Sequence, residues 1–170
     1  MIDLAAAPTS DVSLAEAYHF ADFTRANYRT LLRQAREHYV FRRFTEIDST
    51  QRFVLWRHDV DNSVHSAVAL ARIEAEEGVR ATYFFRLHSE LYNLMELPVT
   101  ALAREIVSLG HDVGLHLDTA DYAIRSETDL HEPITWEAQI LERVLGAPVV
   151  AVSFHQPSPA LLSYQQIRYG

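Results

Sequence analysis

The feature that most constrains this chain is an apolar run leading straight into charged residues, Phe53-Val54-Leu55-Trp56-Arg57-His58-Asp59-Val60-Asp61-Asn62-Ser63. A short, continuously apolar run is typical of a strand that is buried on both faces. Asn62 and Ser63 are preferred at helix N-caps, so a helix is expected to follow. The charged cluster therefore lies where a strand ends and a helix begins, which is the sheet edge on which α/β folds build their sites.

Side chains alternate along a strand, so Arg57, Asp59 and Asp61 should share one face. His58 should point to the opposite face as a packed structural group. Two carboxylates this close repel each other unless a cation or a proton lies between them. Two interpretations fit: a metal site with an adjacent base, or two solvated loop aspartates that pair with arginines, one of them capping a helix.

Beyond this stretch, strand and helix patterns alternate at a spacing of roughly thirty residues, which indicates βαβ units and a parallel sheet. The predicted strands lie at 52–58, 81–86, 112–117 and 149–154, and the predicted helices at 63–77, 99–109 and 133–145. Upstream, the apolar spacing predicts helix over 13–39, either as one helix or as two with a break near 22–24, and then a connector. Residues 1–50 are interpreted as a helical lead-in that packs on the same domain as residues 51–170.

The composition limits the classes of function. A chain of 170 residues suits one domain with a sizeable core. A net charge of -8 without a basic block argues against nucleic acid and anionic membranes as partners. The absence of cysteine excludes disulfides and thiolate zinc sites, so nine histidines and the carboxylates form the expected ligand set. No signal peptide or membrane-length apolar run is visible, and a cytoplasmic location is expected.

Three predicted strands end in ionisable side chains: Asp59 and Asp61, His116 and Asp118, and His155. The carboxyl ends of parallel strands lie along one edge, so these groups can converge. One aspartate with imidazoles at such an edge predicts a site for zinc or another divalent ion. A metal with an open position would activate water or polarise a carbonyl, and the remaining aspartate would be available as a general base.

Four motifs in this order resemble the polysaccharide deacetylase group (NodB homology, carbohydrate esterase family 4). The likeness is to a divergent branch with Arg-His-Asp-Val-Asp in place of the usual Thr-Phe-Asp-Asp. The motifs are Arg57-His58-Asp59-Val60-Asp61, Gly78-Val79-Arg80-Ala81-Thr82-Tyr83-Phe84-Phe85, Leu109-Gly110-His111-Asp112-Val113-Gly114-Leu115-His116 and Ser153-Phe154-His155-Gln156-Pro157. The resemblance covers the chain from about residue 53 to residue 159.

The resemblance implies an α/β fold, a parallel-stranded, distorted (β/α) barrel that holds a divalent metal, with zinc the expected ion. It implies hydrolysis of an N-acetyl group on an amino sugar or glycan precursor, so the expected partner is a carbohydrate substrate. Only four such strands are visible and the family's late motif has no counterpart. The barrel is therefore expected to be open, as if truncated at its C-terminus. Free sheet edges would favour pairing with a second copy, a homo-oligomer.

The resemblance also implies roles for residues. Asp59 matches the catalytic base, Asp61 the metal-binding aspartate and His116 the metal-binding histidine. The family has a second histidine four residues after the first, where this chain has Ala120.

Asp118 or His155 could take the place of that missing ligand, and His155 would preserve the family's ligand chemistry. Alternatively, His155 replaces the family's arginine and orients the base, which would make it a catalytic residue. Arg57, His88 and Asp118 are expected to bind substrate. The alternative to an enzyme is a degenerate deacetylase-like protein that binds metal or carbohydrate without turnover.

Overall fold

Strands and helices alternate along the chain in the computed structural model, which describes residues 20–48 and 50–164. The helices are α1 (Arg25–His38), α2 (Val64–Glu76), α3 (Leu97–Ser108) and α4 (His131–Leu145). The strands are β1 (Val40–Arg42), β2 (Phe53–Leu55), β3 (Arg57–Val60), β4 (Thr82–Phe85), β5 (Asp112–Asp118) and β6 (Val149–His155). None of the helices within these ranges combines the length and apolarity that crossing a membrane requires.

All strand pairs are parallel, which confirms the predicted α/β class. Strands β3, β4, β5 and β6 form one sheet in chain order, and β1 pairs with β2 in a second, two-stranded sheet. Helices α2, α3 and α4 each connect one strand of the larger sheet to the next, as parallel pairing requires. Over the described residues the larger sheet is open, because β3 and β6 each have a neighbour on one side only.

The predicted strand at 52–58 is wrong as a single element, because it divides at Trp56 into β2 and β3, which belong to different sheets. The indole N–H of Trp56 donates to the Tyr28 hydroxyl over 2.8 Å, while its carbonyl accepts from the Thr82 amide over 2.9 Å. Strand β1 lies in the stretch predicted as a connector. Three residues are too short for a periodic signal, and their partner strand lies more than ten positions away.

The upstream helical prediction is confirmed for Arg25–His38, and the described part of the segment has the break predicted near 22–24. A 3₁₀ turn at Phe20–Phe23 precedes α1, and the Thr24 side chain caps α1 by accepting the Asn27 amide over 3.1 Å. The earlier part of that predicted helix, 13–19, and the end of the chain, 165–170, lie outside the described residues. Helix α1 packs on α2, where the guanidinium groups of Arg29 and Arg33 bind the Glu77 carboxylate.

The four-stranded sheet has one apolar face and one polar face. Alternate residues of β5, namely Val113, Leu115 and Leu117, are buried in a core that α2, α3 and α4 complete. The intervening residues of β5 point to the other face, as do the matching positions of β3 and β6. The helices therefore cover one side of the sheet and leave Asp59, His116 and His155 on the other.

Candidate metal centre

Three ligand atoms from three different segments converge at the carboxyl edge of the sheet. Asp61 follows β3, His116 lies within β5 and His155 ends β6. The Asp61 Oδ1 atom is 3.3 Å from His116 Nε2 and 3.2 Å from His155 Nδ1, and the two nitrogens are 3.3 Å apart. A tetrahedral ion with ligands at about 2.0–2.1 Å places its ligand atoms about 3.3–3.4 Å apart. The triangle matches one face of such a tetrahedron, so the cluster can hold a metal ion.

The electrostatics of the triangle favour a cation. Within the described part of the chain, the Asp61 Oδ1 atom is buried and has no hydrogen-bond partner. Burial lowers the pKa of His116, against the opposing effect of Asp59 and Asp61, so its neutral imidazole is favoured. A carboxylate oxygen and an imidazole lone pair at this distance repel each other unless a positive charge lies between them. The donor set of one carboxylate and two imidazoles is one that zinc accepts.

Ser153 sets the orientation of the His116 ring. Its Oγ atom lies 2.7 Å from His116 Nδ1, and the two residues are register partners on β6 and β5. A proton on Nδ1 that is donated to Ser153 leaves the Nε2 lone pair directed at Asp61. Metal-binding histidines are commonly oriented by such a contact on the second nitrogen.

Asp118 lies behind His155 and outside the triangle. Its Oδ2 atom is 4.0 Å from His155 Nε2, which is the nitrogen that faces away from Asp61. Arg86 Nη2 binds the same oxygen over 2.6 Å, and Asp118 Oδ1 accepts the Ala120 amide over 3.0 Å. Of the two alternatives for the third ligand, the geometry thus brings His155 into the triangle and leaves Asp118 as a carboxylate behind it.

Asp59 lies beside the triangle. Its Oδ2 atom is 3.9 Å from His116 Nε2. Arg57, two residues earlier on β3, binds both carboxylate oxygens from Nη2 over 2.6 Å and adds a contact from Nε to Oδ1 over 3.2 Å. In the described ranges, His155 makes no hydrogen bond or ion pair with Asp59. The side chain that orients the Asp59 carboxylate is therefore Arg57 and not His155.

The structure therefore brings five of the predicted site residues to one sheet edge: Asp59, Asp61, His116, Asp118 and His155. Arg57 joins them by its contact with Asp59. His88 lies farther along the edge, in a cleft that it lines together with Arg86 and Asp118. Its ring stacks on Trp136 with centroids 6.0 Å apart, and its Nε2 atom is 3.7 Å from Glu137 Oε1.

Two residues that orient the site were not predicted from the sequence. Ser153 stands two positions before His155 and so shares its face, a signal that alternation along β6 provides. Arg86 ends the strand predicted at 81–86, at the same sheet edge as the charged groups. Its contact with Asp118 depends on two strands that lie far apart in the sequence, and no local pattern reports it.

A second polar cluster lies on the helix side of the sheet, around the fully buried Glu74. Its carboxylate accepts from the Tyr28 and Tyr83 hydroxyls and lies 2.5 Å from His58 Nε2. Burial raises the pKa of Glu74, and the hydrogen bonds from His58 and the tyrosines lower it. The lowering effect is the larger in sum, so the pKa of Glu74 lies below its ordinary value. His58 thus points away from Asp59 as alternation predicted, into a structural network.

No family model matches the chain, and no curated protein matches it.

Proposed function

We propose that this protein is a metal-dependent hydrolase that removes an N-acetyl group from an amino sugar or glycan precursor, with zinc held by Asp61, His116 and His155. The observation behind the proposal is the triangle of ligand atoms, 3.2–3.3 Å on each side, with a further carboxylate 3.9 Å from one corner. The substrate class follows from the resemblance to polysaccharide deacetylases. The described four-stranded sheet would then be part of that group's distorted (β/α) barrel.

The residues divide the chemistry between them. A bound divalent ion would supply Lewis-acid polarisation of the amide carbonyl and a water molecule of lowered pKa. Asp59 would accept the proton of the attacking water at a carboxylate oxygen and return it to the amine as the amide C–N bond breaks, so that amide and water become acetate and amine. Arg57 orients the Asp59 carboxylate, and Ser153 and Asp118 lie behind the two histidines. Asp118, behind His155, lines a cleft together with Arg86 and His88, and these residues would contact the rest of the substrate.

Acetate release tests the proposal directly. Chelator-treated protein would be reloaded with Zn²⁺, Co²⁺, Mn²⁺ or Ni²⁺ and incubated with N-acetylglucosamine oligomers and with a nucleotide-linked N-acetyl sugar. Release should require metal and should disappear in Asp61→Asn, which loses a ligand, and in Asp59→Asn, which keeps the ligands. Asp22→Asn, an exposed aspartate outside this cleft, is the matched control.

The second candidate is a protein that binds metal or carbohydrate without turnover. Ala120 favours it, because the corresponding family position carries a ligand histidine and here contributes only its amide to Asp118. Stoichiometric metal binding without acetate release on any of these substrates would support this candidate against the hydrolase.

A further inference from the structure

The Arg57 side chain packs on an aromatic ring on the polar face of the sheet. Its guanidinium carbon lies 4.6 Å from the centroid of the Phe84 ring, a cation–π contact. Phe84 is fully buried and is the register partner of Asp59 on the neighbouring strand. The platform under the guanidinium is therefore a fully packed ring, which limits the directions in which the N–H groups can point.

From this platform Arg57 holds a carboxylate that is close to the donor triangle. The Asp59 Oδ2 atom is 3.9 Å from His116 Nε2, whereas the ligand atom of Asp61 is 3.3 Å from the same nitrogen. Carboxylate oxygen is a good ligand for zinc, and a fourth protein ligand converts an open, catalytic type of site into a closed, structural one. A small rotation of Asp59 would bring its oxygen to the spacing of the triangle.

We infer that Arg57 is a positioning residue that keeps Asp59 out of the metal's coordination shell, so that the site has three protein ligands and one open position. This inference rests on the metal site of the proposed function. Both oxygens of Asp59 are held by Arg57 at 2.6 Å, including Oδ2, the oxygen that lies 3.9 Å from His116 Nε2. Arg57 thereby determines whether Asp59, the first aspartate of the Asp-Val-Asp motif, is a base or a ligand.

A role limited to stability explains the arrangement poorly. Arg57 and Asp59 are 41% and 32% exposed in their side chains, and ion pairs that are this accessible contribute between zero and about 1 kcal/mol. Loss of Arg57 should therefore leave the fold intact and change the coordination at the site.

Cobalt(II) titration of the chelator-treated protein tests the inference, because the visible absorption of Co²⁺ reports its coordination number and ligand set. In Arg57→Met, which retains an apolar contact with Phe84, Asp59 should become a ligand. The Co²⁺ spectrum should then shift to that of a four-protein-ligand site, and affinity should rise roughly tenfold. Circular dichroism checks the fold of each variant.

Two further variants separate coordination from simple charge removal. In Arg57→Met/Asp59→Asn, both the spectral change and the gain in affinity should disappear relative to Asp59→Asn alone. Arg72→Met is the matched control, since Arg72 also binds a carboxylate over 2.6 Å, but its partner Glu105 lies on helix α3, away from the triangle. Its Co²⁺ spectrum should be that of the wild type.

An unchanged spectrum in Arg57→Met, or a gain in affinity that persists with Asp59→Asn, would overturn the inference. Absence of Co²⁺ binding to the wild type would overturn it together with the metal site. If the wild type binds Co²⁺ and shows the expected shifts but releases no acetate, the role of Arg57 stands and the hydrolase proposal fails.

Discussion

Gly114 lies directly against the ring of Phe84, its register partner on β4. A Cβ atom at position 114 would be 2.4 Å from Phe84 Cδ1 and 2.5 Å from Cε1, which no side chain tolerates without movement of the ring. Since the same ring supports the Arg57 guanidinium, the absence of a side chain at position 114 also determines where Arg57 and Asp59 lie.

Gly114→Ala should destabilise the fold by about 1–3 kcal/mol, because the added methyl overpacks a fully buried ring. Urea unfolding of both proteins measures the difference. Combined with Phe84→Leu, the same change should cost less than the sum of the two single effects, since the smaller side chain makes room. Additive effects would show that the two residues do not compete for space.

Ser153→Ala should weaken Zn²⁺ binding by about 10- to 100-fold while leaving the fold unchanged, because the His116 ring loses the group that holds Nδ1. Isothermal titration of the chelator-treated protein measures the affinity. Ser108→Ala, at an exposed helix end, is the matched control and should bind Zn²⁺ like the wild type. If the two variants bind Zn²⁺ with equal affinity, Ser153 does not orient a metal ligand.

Asp61→Asn should reduce Zn²⁺ affinity by more than about 100-fold, which exceeds the usual effect of an orienting residue because a ligand itself is lost. Asp118→Asn should have the smaller effect, within about 10- to 100-fold, since Asp118 lies behind His155. The reverse order of the two affinities would mean that Asp118 and not Asp61 binds the metal.

Glu74→Ala should destabilise the protein by about 3–5 kcal/mol, because the buried Tyr83 and the half-buried His58 and Tyr28 lose their shared acceptor. Thermal or urea unfolding at neutral pH measures the loss. Exposed Glu90→Ala should change the free energy of unfolding by less than about 0.5 kcal/mol. A similarly small effect of Glu74→Ala would mean that the cluster is not part of the structural core.

The stability that the contact between α1 and α2 contributes should fall at acid pH, because Glu77 becomes protonated there. Hydrogen bonds from Arg33 and Arg29 lower the pKa of Glu77 from 4.5 to about 2. A carboxylate with a lowered pKa in the folded state stabilises the fold fully above its unfolded pKa, and this contribution is lost as the pH falls from about 4.5 towards 2.

The difference in urea midpoint between wild type and Glu77→Gln should therefore be constant from pH 7 to about pH 5 and shrink below about pH 4.5. Glu76→Gln removes an exposed carboxylate that, among the residues the structure describes, pairs with Arg29 alone, and it should show a smaller difference at every pH. A difference that grows as the pH falls would contradict the lowered pKa of Glu77.

The local pattern of the chain was sufficient to predict the parallel α/β class and the edge on which the site lies. Alternation placed Arg57, Asp59 and Asp61 on one face and His58 on the other, because side-chain direction has a period of two within a strand. Parallel strands bring their carboxyl ends together, so His116 and His155 could be expected beside Asp61.

The contacts between strands were decided only by the tertiary structure. Three features depend on register between segments that lie far apart in the sequence. They are the division at Trp56, the pairing of Ser153 with His116 and the space that Gly114 leaves for Phe84. The same applies to Arg57, which could have met a substrate and instead holds Asp59. Periodicity within an element specifies which way a side chain points, whereas its partner depends on how separate elements are aligned when they pack.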